Sequence, residues 1–187
     1  MRQITPHPEY LFDPATRHMM VWPHQDDEVM YAGLINRLGP ELDFVWVTNG
    51  DGLAPMEGAD PEEYATVRMK ETDAVLGTLG RPLARRTNLA FSEITIYDRF
   101  ADLTRAPARR DEIMAFFGEI ADAVYAEVAR VRPQVVWVPA FQNGHPEHDL
   151  VHIVTALALR RLRAEGHEAA LYHVPEYEYL IFVPHRF

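Results

Sequence analysis

The chain has 187 residues, with 18 Lys plus Arg against 28 Asp plus Glu, a formal net charge of −10 and no cysteine. That length suits one domain over residues 1–187, with a core large enough to fold unaided, and the lack of thiols excludes disulfides, thiolate nucleophiles and Cys-held metals. The acidic balance argues against nucleic acid, no stretch reaches the roughly 20 apolar residues that span a bilayer, and no basic-then-apolar leader opens the chain, so a cytoplasmic protein without membrane insertion is expected.

His18-Met19-Met20-Val21-Trp22 is the first predicted strand, and it runs into Pro23-His24-Gln25-Asp26-Asp27-Glu28. A helix is expected from Glu28 to Leu38, burying Val29, Leu34, Ile35 and Leu38 and stopped by Gly39-Pro40. A second strand, Leu42 to Val47, leads into the turn Thr48-Asn49-Gly50-Asp51-Gly52. Asp60-Pro61-Glu62-Glu63 reads as a helix start, with Asp60 as cap and Glu63 placed for the reciprocal contact; the helix should reach Leu79. A weaker strand is expected around Arg86 to Leu89, whereas Ala90 to Ala106 has no sustained period and reads as a long connection.

From Pro107 to Val131, Ile113, Phe116, Phe117, Ile120, Val124 and Val128 recur on one helical face, and Pro133 introduces a strand from Gln134 to Val138. After His145-Pro146-Glu147-His148, a helix carrying Leu150, Ile153, Val154, Leu157, Ala158 and Leu162 should end near Gly166, before a strand from Ala169 to Val174. Leu180 to Val183 is apolar and suits either a buried strand or an oligomer contact, so a homo-oligomer stays open. Strands alternating with helices predict an α/β fold, a mostly parallel sheet flanked by helices. No Gly-x-Gly-x-x-Gly follows the first strand, which argues against a dinucleotide.

The two polar clusters both fall at strand-to-helix junctions, where ligands of parallel α/β sheets collect. Together they can give two imidazoles and a carboxylate to one open metal ion and leave a second carboxylate as a base. Singly, each has a plainer reading. His24 could bond backbone, Asp27 could cap the following helix, Asp26 could face solvent, and His145 and His148 could sit in an exposed turn. Arg68 and Glu71 could form an ion pair or Arg68 could reach substrate, and Asp51 could contact substrate or stabilise its own turn. His152 reads as solvent-exposed, and Tyr97, Trp22 and Phe141 suit either sugar stacking or the core.

These segments resemble the GlcNAc-phosphatidylinositol de-N-acetylase (PIG-L, LmbE-like) family of metal-dependent deacetylases. The family pattern His-Pro-Asp-Asp-Glu compares with His24-Gln25-Asp26-Asp27-Glu28, and His-Pro-Asp-His with His145-Pro146-Glu147-His148. Thr48-Asn49-Gly50 followed by Arg68 and Glu71 looks like the family's Thr-x-Gly and Arg-x-x-Glu segments. The resemblance implies a Rossmann-like fold, His24, Asp27 and His148 as ligands of one divalent ion, and Asp26 as general base. It further implies His145 as an electrostatic or acid group and Arg68 as a substrate contact. Zn²⁺ is the implied metal, with Fe²⁺, Mn²⁺ or Co²⁺ as alternatives that the same donors accept.

Three departures bear on the site. Gln25 replaces proline and should loosen the junction, Glu147 replaces an aspartate that orients ligands, and Asn143, a candidate substrate contact, stands before the late histidine motif where an acidic residue is common. The expected activity is removal of an N-acetyl group from a small amino sugar or its conjugate. The rivals are hydrolysis of another amide or ester by the same metal site, and a silent glycan- or metal-binding module.

Overall fold

The computed structural model describes residues 8–175. Five strands form one sheet: β1 (His18–Trp22), β2 (Leu42–Thr48), β3 (Arg86–Phe91), β4 (Val135–Pro139) and β5 (Ala170–Val174). Their order is β3-β2-β1-β4-β5 and every pairing is parallel, so the sheet is the predicted Rossmann-like one. In this order the chain leaves β1 toward one edge and returns beside it as β4, which opens a crevice at their carboxyl ends. Both polar clusters leave the sheet at that crevice.

The helices are α1 (Asp27–Met30), α2 (Ala32–Arg37), α3 (Ala54–Glu57), α4 (Pro61–Thr78), α5 (Glu93–Arg105), α6 (Arg110–Val131) and α7 (Pro146–Ala164). Because side chains alternate across a strand, each central strand feeds two cores. Met19, Val21, Val45, Val47, Val136 and Val138 face α5, α6 and α7. Met20, Trp22, Phe44, Trp46, Val135 and Trp137 face the other layer, where Ile35 and Leu76 are buried. Trp22 is therefore core, stacked on Tyr31 at 4.8 Å. A fully buried aliphatic side chain contributes about 1.5–3 kcal/mol, so these two clusters hold the sheet. Leu180 to Val183 lies outside the described residues.

Three expectations are corrected. The helix expected from Glu28 to Leu38 is broken at Tyr31, whose φ of −108° and ψ of 13° leave the helical basin so that its ring can stack on Trp22. Val29 is consequently exposed, and the buried residues of that turn are Asp27 and Glu28. The supposed connection from Ala90 to Ala106 contains α5, capped by Ser92 through Thr95 N at 3.2 Å. Its core contacts, Ile96, Phe100 and Leu103, are spaced four and three apart; the irregular flanks diluted that period. Finally, Ile153 and Leu157 of α7 are about half exposed, since the face that enters the core is Leu150, Val151, Val154, Ala158 and Leu162.

Candidate active site

β1 ends in a turn that reverses within three residues. The Asp27 carboxylate closes it, with Oδ2 accepting from the His24 amide at 2.9 Å. Asp27 thus folds back onto His24 instead of capping the amides that follow. Its two oxygens straddle an imidazole pair: Oδ2 lies 3.9 Å from His24 Nδ1 and Oδ1 lies 3.7 Å from His148 Nε2. The two nitrogens are 3.2 Å apart. Donors about 2.1 Å from a tetrahedral ion are roughly 3.4 Å from each other, a spacing that the two imidazole nitrogens meet, with one Asp27 oxygen beside each.

His148 reaches this point because Pro146 starts α7 at the end of the short segment that follows β4 and places Glu147 and His148 on its first turn, both buried. His145, at the cap position, brings a third ring to within 4.8 Å of His24 and 4.6 Å of His148. Ligand atoms of the three histidines all lie within 4.8 Å of one another, and the same is true of His24, Glu93 and Glu147. Two overlapping triads therefore share His24.

Glu147 explains the overlap. Its Oε2 is 3.1 Å from His24 Nε2 and 3.4 Å from His145 Nδ1, so one oxygen orients two imidazoles. A proton on His24 Nε2 directed at Glu147 turns the Nδ1 lone pair toward His148, the usual support for a ligating histidine. Burial pushes the Glu147 carboxyl up to about 6, opposed by the Tyr97 hydroxyl and the adjacent imidazoles. Tyr97 thus serves a carboxylate, with its ring edge-on to His145.

Glu93 was hidden within the supposed connection. It is buried, accepts from the Thr48 hydroxyl at 2.7 Å, and is pushed upward by burial while the His24 charge opposes the shift. Asp51 sits beneath it and is itself only 3% exposed. Asp51 Oδ1 accepts from the amides of Glu93 at 2.8 Å and Ile94 at 3.3 Å, so its carboxylate holds the start of α5. Gly50 takes φ +80°, a conformation that favours glycine, and a Cβ at Gly52 would displace the Glu93 carboxylate.

Gln25 corrects another expectation. Its side chain is buried and donates to the Thr48 carbonyl at 2.7 Å, fastening the junction to β2 instead of loosening it. The next residue, Asp26, takes φ of 136°, which L residues rarely adopt and which costs about 1–3 kcal/mol. Arg68 of α4 holds it there, bonding the Gln25 carbonyl and Asp26 Oδ2, the latter at 2.7 Å, while its other nitrogen meets Glu71 at 2.6 Å. Arg68 therefore makes the expected ion pair with Glu71 through one nitrogen and holds Asp26 through the other, and Asp26 remains exposed beside it. Asn143, at φ 54°, lines a pocket next to His145. His152 is only partly exposed and lies 2.9 Å from the Pro139 carbonyl.

The arrangement offers a place for a cation, an exposed carboxylate at the same turn, and an imidazole opposite. A model of the GlcNAc-PI de-N-acetylase family, PIG-L, matches residues 19–159. The chain is similar to a deacetylase of the teicoplanin biosynthetic pathway, at 20% identity and a TM-score of 0.67, covering 89% of this chain and 70% of that one. It is similar to the N,N'-diacetylchitobiose deacetylase of Pyrococcus horikoshii, at 21% identity and a TM-score of 0.58, over 81% of this chain and 52% of that one. It is also similar to GalB, the 4-carboxy-2-hydroxymuconate hydratase of Pseudomonas putida KT2440, at 16% identity and a TM-score of 0.58, over 85% and 62%. At such identities these likenesses establish the fold, and the chain spans about half the length of the chitobiose enzyme. No curated protein matches it.

Proposed function

The chain belongs to the PIG-L family of GlcNAc-PI de-N-acetylases, and from that premise we propose that it is a metal-dependent hydrolase removing the N-acetyl group of a small amino sugar or amino sugar conjugate. The observation that carries this reading is the convergence of His24 Nδ1, His148 Nε2 and the Asp27 carboxylate, spaced 3.2 to 3.9 Å. In the proposal these three hold the ion, Zn²⁺ in the first instance, with Fe²⁺, Mn²⁺ or Co²⁺ compatible with the same donors.

Once held there, the ion supplies Lewis-acid polarisation of the acyl oxygen and a more acidic water. Asp26 accepts the proton of the attacking water; its exposure lets it reach that water, and Arg68 fixes its direction. His145, oriented by Glu147, stabilises the oxyanion and gives a proton to the leaving amine. Asn143 contacts the sugar from the pocket side.

Acetate release from N-acetylglucosamine and its conjugates tests the reading, with metal-loaded protein, a metal-free control and the Asp26→Asn variant in parallel. Metal-dependent release is expected, falling about 10²–10⁴-fold in Asp26→Asn while metal is retained. Absence of release at stoichiometric metal overturns the deacetylase reading, and full activity of the variant removes Asp26 as base.

A further inference from the structure

Beside His145 the segment between β4 and α7 faces α5 across a cavity of about 320 Å³. Phe100, Phe141, Pro146, Leu150 and Ile153 form its walls. Its polar lining is His145, Asn143 and Asp149, without any Lys or Arg. Asp149 is already committed: its Oδ1 accepts from the amides of Gln142 at 3.0 Å and Asn143 at 3.2 Å, which shapes the loop.

Two of the walls are costly as they stand. Phe141 is 52% and Ile153 46% exposed, leaving apolar surface uncovered at the mouth of a concave space. The volume lies in the range that houses drug-sized ligands, far more than an acetyl methyl fills. We infer that this pocket is an apolar subsite which takes a hydrocarbon group of the substrate, an alkyl chain of medium length or an aryl ring, next to the amide being cleaved. The inference rests on the hydrolase reading, because His145 must border the reacting amide for the pocket to belong to the same substrate.

The hydrocarbon can enter from either side of that amide, as the acyl chain or as the aglycone. One series therefore lengthens the acyl group on glucosamine from acetyl through butanoyl to hexanoyl. The other keeps N-acetyl and changes the aglycone from methyl to hexyl to phenyl. For both, kcat/KM is measured on metal-loaded protein and binding on metal-loaded Asp26→Asn protein by titration calorimetry. Each buried methylene gains at most roughly fourfold in affinity, so a rise of about tenfold or more is expected along one series. Phe141→Ser and Ile153→Asn, at exposed positions, should flatten that rise, read as the ratio of the longest to the shortest member.

A rise lost in both variants supports the subsite, and the series that shows it identifies the source of the hydrocarbon. Flat series with acetate still released overturn the subsite and leave the deacetylase reading intact. A rise that survives both substitutions overturns it too, since the hydrocarbon then binds elsewhere. Binding that rises with length while no member is turned over supports the pocket and overturns the reaction instead.

Discussion

The two ends of the sheet solve opposite electrostatic problems with similar residues. At the amino ends of the strands, acids and bases are matched in direct ion pairs: Arg85 meets Glu41 at 2.7 Å and the buried Asp43 at 2.9 Å, and Arg86 meets Asp73 at 2.5 Å. At the carboxyl ends, Glu93 and Glu147 are buried against a threonine hydroxyl, a tyrosine and imidazoles, and burial raises both carboxyls. One end is ordinary structural pairing. The other concentrates desolvated groups and a strained Asp26 at one crevice, as sites poised for chemistry do.

Replacing His148 with Ala should have the largest effect, abolishing stoichiometric metal binding and reducing turnover to background. Elemental analysis after dialysis checks this, and full metal occupancy would break the contrast at its centre. Glu147→Gln keeps shape but removes the charge that orients His24 and His145, so metal affinity should fall about 10–100-fold in a chelator competition. Asp51→Ala should lower unfolding free energy by about 1–3 kcal/mol in urea titration, because the Glu93 and Ile94 amides lose their acceptor. An unchanged midpoint would mean that α5 does not depend on this cap. Arg85→Ala, at the opposite end, should cost about 1 kcal/mol or less and leave kcat/KM unaltered. A loss of activity there would show that the two ends are coupled.

Much of the site was legible because its parts are local. His24 to Glu28 and His145 to His148 carry their spacing in the chain, and each follows an apolar strand that any reading of periodicity finds. Glu93 was not legible. It approaches His24 only because β3 lies at the edge of the same sheet and Asp51 starts α5 beneath it, a contact between segments over forty residues apart. Asp51 itself carried two readings, and neither foresaw that its carboxylate would be buried against the first amides of α5.

By itself the sequence determined the alternation of strands and helices, the two polar junctions and the absence of thiol chemistry, since these depend on residue type and short-range period. Only the tertiary structure decided which groups meet. Strand order set β1 beside β4, so His24 faces His148, and packing of α4 over the first turn turned Arg68 onto Asp26. The break at Tyr31 and the exposure of Ile153 are of the same kind. The pattern of apolar residues says that a helix has an inner face, but where that face ends depends on the neighbours that cover it.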